Sequence, residues 1–241
     1  EREIAMSNKI NHYALVGGNI VEVVAGNLIS GHSLIIKDGM IKEICKDQQL
    51  KGDIPHISVN ARYITPGLID CHAHCFVGQF GDRGNVMPSE MTARAGQHLE
   101  GMLQRGFTTV RDAGGADSGH RSAVEKGLFP GPRLFVSGKI LSQTGGHGDH
   151  RAIADVCGCE TVAGGMSIIA DGVDAVRKAV RENVRQGVDQ IKIMGGGGVA
   201  SPGDKLIHPQ YSLDEIEAIV DEATRCGRYV MAHIYSDVGI R

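Results

Sequence analysis

"VRKAVRENVRQGVDQIKIMGGGG", Val176 to Gly198, contains one complete copy of the unit from which the fold is read. Val176, Val180 and Val184 recur at the spacing that lines one face of an α-helix. Gly187 then stands where a helix ends in the left-handed conformation. "DQIKIMGG" (189–196) follows as a short apolar run. The order helix, glycine, strand recurs in "QRGFTTV" at Gly106 and in "RCGRYVMAH" at Gly227. Repeated β/α units imply a parallel sheet covered by helices. An open doubly wound sheet and a closed eight-stranded barrel both satisfy that pattern.

Working outward, the other strand candidates are "GLIDCHAHC" (67–75), "FTTVRDAG" (107–114), "RLFVSG" (133–138) and "RYVMAHIY" (228–235). A helix starting near Ser89 turns Met91, Ala95, Leu99 and Leu103 to one face. Another starts at Ser212, with Glu215 three residues on as a capping box. That gives about five β/α strands in this chain, whereas a full barrel needs eight and about 250 residues. The chain stops at "HIYSDVGIR" as a further helix begins, so the reading is an open sheet or part of a longer chain. Residues 1–62 have a different texture, with short strands and Asp38-Gly39 between two apolar runs, a hairpin signal. They are expected to form a small antiparallel β module, with the β/α region occupying 63–241.

Composition narrows the function classes. The 241 residues include 41% hydrophobic side chains, enough for a sizeable core. Aromatic residues make up only 4%, tryptophan is absent and the net charge is -3. Neither a stacking platform nor a basic stripe is therefore present for nucleic acid. No apolar run reaches the roughly 18–20 residues of a membrane span, and "EREIAMSNKI" has no signal-peptide core. Six cysteines without a CxxC pair are not a disulfide framework, and "CGC" at Cys157 to Cys159 is too tight for usual zinc spacing. A soluble cytoplasmic protein is expected, with no membrane or nucleic-acid partner. The 34 glycines, about double the usual share of roughly 7%, cluster beside strand-like runs. That suits loops bringing backbone close to something.

Three strand ends carry chemistry. Side chains alternate along a strand, so Asp70, His72 and His74 share a face. Two imidazoles at that spacing form half of a metal site, or two histidines satisfied by neighbouring groups. Lys192 sits between Ile191 and Ile193 in a strand expected to be buried, where the ammonium form is costly. A neutral amine there is a nucleophile; it forms a Schiff base with a carbonyl, or a carbamate with carbon dioxide that bridges two cations. Alternatively the lysine snorkels to the strand end. His233, late in the last strand, joins them at one rim, where parallel barrels place their active sites. "GGHGDH" (145–150) either lines that pocket or is a surface loop, and Arg111-Asp112 reads as a structural ion pair. "GGGGVASPGDK" lacks the Gly-Lys-Ser/Thr of a phosphate loop.

"ITPGLIDCHAHC", "GFTTVRDAGG", "QIKIMGGGGVASPGD" and "YVMAHIY", in this order, resemble the amidohydrolase superfamily. The likeness is closest to its imidazolonepropionase-related, prolidase-like branch of metal-dependent dipeptidases and carboxypeptidases, and it covers nearly the whole chain. It implies a (β/α)8 TIM-like barrel with a small β-sandwich module, whose N-terminal half is residues 1–62 and whose other half comes from a C-terminus. It implies two divalent metals, zinc by family habit, held by His72, His74, a carbamylated Lys192 and His233. It further implies hydrolysis of an amide or peptide C–N bond of a dipeptide or N-acyl amino acid by a hydroxide bridging the metals. His147 and Tyr235 would hold the substrate's terminal carboxylate, and homo-oligomers are common in this fold. The family's final histidine and aspartate have no counterpart in these 241 residues, so this segment alone is expected to be inactive. Rival readings are a mononuclear cyclic-amide hydrolase or deaminase, a Schiff-base lyase using Lys192, and a non-catalytic metal-binding remnant.

Overall fold

The computed structural model describes residues 11–50, 52–76, 86–151, 154, 166–201 and 203–241; "EREIAMSNKI" and "CGC" lie outside them. The chain divides into two compact units between Pro66 and Gly67. In the first, β1 (His12–Glu22), β2 (Asn27–Lys37) and β3 (Met40–Lys46) form an antiparallel meander. Lys37 faces Met40 across Asp38 (φ 51°) and Gly39 (φ 76°), both left-handed, as a two-residue hairpin of this sequence requires. After a 3₁₀ turn at Asp47–Gln49 the chain returns to β1. There β4 (His56–Ser58) and β5 (Tyr63–Ile64) pair with it in parallel, so the sheet is mixed rather than wholly antiparallel. Ala14, Ile35 and Cys45 form its small core.

The second unit alternates strands and helices. β6 (Leu68–Ala73), β7 (Phe107–Asp112) and β8 (Arg133–Phe135) make one parallel sheet. β9 (Ile140–Ser142), β10 (Ser167–Ile169), β11 (Ile191–Met194) and β12 (Val230–His233) make another, in the order β10-β9-β11-β12. The helices are α1 (Pro88–Gln104), α2 (Ser118–Glu125), α3 (Val173–Arg185), α4 (Leu213–Arg225) and the short α5 (Asp237–Ile240). Each of the five expected runs holds a strand, and two three-residue strands join them. The run at 133–138 stops as a strand at Phe135, because the Val136 N–H donates to the Asp189 carboxylate (2.8 Å) and Gly138 turns the chain at φ 64°. The strands proceed in chain order, β6-β7-β8 and β9-β11-β12, with β10 added beside β9. This is the progression of a (β/α)8 barrel, which the described strands do not close. Among the described residues no helix is long and apolar enough to cross a membrane.

Two apolar clusters hold the strands under their helices. Met91, Ala95 and Leu99 of α1 pack with Val110 and Leu134. Val176 and Val180 of α3 and Ile219 and Ala223 of α4 pack with Leu141, Ile191 and Ile193. Gly106, Gly187 and Gly227 take φ of 93°, 82° and 67° after α1, α3 and α4, the conformation that lets the chain leave a helix directly for a strand. At the start of α4 the Glu215 carboxylate accepts from the Ser212 amide (2.8 Å) and hydroxyl (2.7 Å). Ile219 is fully buried in the apolar cluster that α3, α4 and β11 share. Ile219→Ala should therefore cost about 2–5 kcal/mol of stability, read as a lowered denaturant midpoint of the full-length protein with unchanged slope.

Candidate metal centre

His72 ends on the same face of β6 as His74, which follows the strand, and their ring centroids are 5.5 Å apart. The turn after β7 orients the second ring. His74 Nδ1 lies 3.0 Å from the Gly114 carbonyl oxygen, which only accepts, so Nδ1 carries the hydrogen and Nε2 is left for a ligand. That turn is itself held by Asp112. This fully buried carboxylate accepts from the amides of Cys75 (2.6 Å), Gly114 (2.9 Å) and Ala116 (3.1 Å). Asp70, on the histidine face by sequence, accepts from the His72 amide (3.0 Å) and braces its own strand.

Arg111 and Asp112 are not the ion pair the sequence suggested. Successive strand residues face opposite sides. While Asp112 holds the turn, Arg111 donates to the Cys71 carbonyl (2.7 Å) and the Tyr229 hydroxyl (3.3 Å).

Alternation also sets Lys192. Ile191 and Ile193 enter the apolar cluster, which turns Lys192 to the other side of β11. The lysine is 1% exposed and its Nζ has no hydrogen-bond partner among the described residues. Burial, aided by the Arg111 charge and opposed by Asp112, lowers its pKa to about 8. His233, the last residue of β12, likewise has a buried, unpartnered Nε2. Burial and then the charges of His147 and Lys192 lower its pKa to about 4. His72 is lowered by burial and then by Lys192. His72 of β6 and His233 of β12 thus lie within electrostatic range of one buried amine.

The loops complete the rim. His147 stacks on His233, with centroids 4.5 Å apart and planes 23° from parallel. Tyr235 meets His233 edge-on at 5.0 Å. The four glycines after β11 are small because of what they touch, and none has a positive φ. A Cβ at Gly197 would fall 2.0 Å from the Lys205 carbonyl oxygen, and one at Gly198 would fall 2.0 Å from the His147 ring. Sequence reasoning missed Asp204 and Gln210, which join this loop to the one carrying His147. Gln210 donates to Asp204 (2.8 Å) and accepts from the His147 amide (2.9 Å). A polar residue within a glycine-rich loop gives no periodic signal, so only the fold reveals this.

The residues named from sequence therefore gather as the pair His72 and His74, the cluster His147, His233 and Tyr235, and Lys192 in electrostatic range of both. Among the described residues no three His, Cys, Asp or Glu side chains form a metal-holding group by themselves. Among the described residues, Lys192 is the buried group that lies near these histidines. Two buried nitrogens without partners, on adjacent strands, are the groups a bound cation and its bridge would satisfy.

Parallel strands in barrel order, carrying histidines and a buried lysine, are the pattern of part of a (β/α)-barrel hydrolase. Residues 63–241 match the amidohydrolase family, and the chain belongs to it. It is similar to a prolidase whose crystal structure is complexed with N-methylphosphonate-L-proline, with 44% identity and a TM-score of 0.88 over 95% of this chain and 57% of that one. It is 34% identical to the ochratoxinase of Aspergillus niger over 247 residues, 90% of this chain and 51% of the relative. A Xaa-Pro dipeptidase with bound methionine in its active site is 28% identical, with a TM-score of 0.83 over 95% of this chain and 58% of that one. The chain spans about half the length of these relatives.

Gly198→Ala tests whether the glycine run holds the rim. The added methyl should open the His147–His233 stack in a crystal structure of the variant. Overpacking of this kind should cost about 1–3 kcal/mol by chemical denaturation.

Proposed function

We propose that the protein hydrolyses an amide or peptide C–N bond, of a dipeptide or an N-acyl amino acid, with two divalent metal ions, zinc by preference. His72, His74 and His233 would hold the ions, with Lys192 bridging them as a carbamate. In this reading residues 63–241 are the first part of the catalytic barrel, and residues 1–62 are half of the small β module. The observation that carries it is the Lys192 amine: wholly buried, unpartnered and within range of histidines from β6 and β12. As an ammonium ion it would repel cations. Attack of the neutral amine on carbon dioxide, with loss of a proton, replaces that positive charge with a carboxylate-shaped anion.

When bound, the metals would supply an acidified water and a polarised scissile carbonyl. The chain's own residues do the rest. His74 is held through its Nδ1 with Nε2 presented, and Asp112 keeps that turn rigid. Ile234, Ala232 and the backbone after β12 close on Gly195 and Gly196, fixing the rim on which His147 and Tyr235 would receive the substrate's terminal carboxylate. The likeness to a Xaa-Pro dipeptidase and a prolidase supports a dipeptide as the target. The mononuclear and Schiff-base readings leave either the buried lysine or the histidines without a role.

The following experiments check this on the full-length protein. Intact mass should show a gain of one carbon dioxide on Lys192, and metal analysis two ions per chain. Chelation should abolish cleavage of a panel of dipeptides and N-acyl amino acids, and zinc should restore it. Trapping of Lys192 by borohydride with a carbonyl substrate, or a single ion per chain, would sink the two-metal reading. Lys192→Ala should lose more than about a hundredfold in kcat/KM, beyond the usual cost of an outer-sphere partner. Added short carboxylic acids should recover part of that loss by standing in for the carbamate.

A further inference from the structure

His147 is held by more than its stack on His233. Its Nδ1 lies 2.8 Å from Ser201 Oγ, and the Ser201 hydroxyl is hydrogen-bonded to Asp204 Oδ1. The second Asp204 oxygen accepts from the Gly198 amide (3.0 Å) and from Gln210 Nε2 (2.8 Å). The Asp204 side chain is 4% exposed, and among the described residues the basic group in ion-pair range of it is His147, at 3.9 Å.

The direction of each hydrogen follows from the groups themselves. A carboxylate only accepts, so Ser201 donates its one hydrogen to Asp204. Its oxygen is then free only to accept, so the hydrogen between the pair belongs to His147 Nδ1. The opposite ring nitrogen, Nε2, remains for something other than this loop. The Gln210 side chain fixes the His147 backbone through its amide, and Gly198, without a Cβ, lets the ring lie against the loop. Ring position, ring flip and tautomer are all set by one short chain of bonds ending on a buried carboxylate.

We propose that Asp204 and Ser201 are positioning residues that orient His147 so that its Nε2 meets the substrate. This rests on the reading of His147 as a substrate ligand given above. These hydrogen bonds of Ser201 and Asp204 run to His147 and its loop rather than to His72, His74, Lys192 or His233. They act through the imidazole.

The test uses the full-length, zinc-loaded protein and the compound of the panel above that it cleaves fastest. Ser201→Ala should raise KM about tenfold, the usual effect of one lost hydrogen bond, while kcat stays within about twofold. In a His147→Ala background the same substitution should change nothing further, because the two act as one unit. Nitrogen-15 spectra should show His147 protonated at Nδ1 in the wild type. In Asp204→Asn the hydroxyl hydrogen is released toward the ring, and the histidine proton should move to Nε2. The proposal is overturned if Nδ1 is unprotonated in the wild type, if the Asp204→Asn tautomer is unchanged, or if Ser201→Ala leaves KM alone while His147→Ala raises it. If His147→Ala itself leaves KM unchanged, the reading of His147 as a substrate ligand is what fails, and the positioning role falls with it.

Discussion

A parallel strand covered by helices has one side for the apolar core and one for the barrel interior, and β11 obeys this without exception. Ile191 and Ile193 take the first side, so Lys192 must take the second. Much of the unit can be traced to that placement. A buried ammonium is unfavourable, its nitrogen has no hydrogen-bond partner among the described residues, and His72 and His233 are shifted toward their neutral forms. The amine and the histidines would destabilise the fold as an unrelieved group. In the proposed reading, an anion on the amine and bound cations would relieve that cost.

Two buried carboxylates do the quiet organising. Asp112 gathers three amides around the turn that orients His74. Asp204 gathers an amide, an amide side chain and a hydroxyl in the loop that supports His147. Both place a polar group where the backbone would otherwise have unmet donors. In each case a loop with no regular structure acquires a defined shape. Each histidine ring is thereby held by a hydrogen bond from its Nδ1 to that loop.

Much of this was legible before any coordinates. Val176, Val180 and Val184 marked α3, the Ser212 and Glu215 pair marked the start of α4, and glycines 106, 187 and 227 marked helix ends. Each is a local rule acting within a few residues. The period of two likewise aligned His72 with His74 and isolated Lys192. What escaped the sequence is non-local or too short. β9 and β10 have three residues each, below the length at which alternation can be seen. The role of Asp112 is not legible locally, because its partners include the amide of Cys75, on another strand's loop. The stack of His147 on His233 joins residues far apart in the chain, and only the packing of the loops after β9 and β11 brings them together.

The glycine run after β11 has a consequence for inheritance. Gly197 and Gly198 carry no functional group, yet no larger residue fits at either without displacing a carbonyl or an imidazole. Random variation should therefore be rejected there as firmly as at the histidines, although neither glycine has a chemical role. Intolerance at these positions records the space left for a neighbour. A mutational map of this chain would outline the site by its empty volumes as clearly as by its reactive groups.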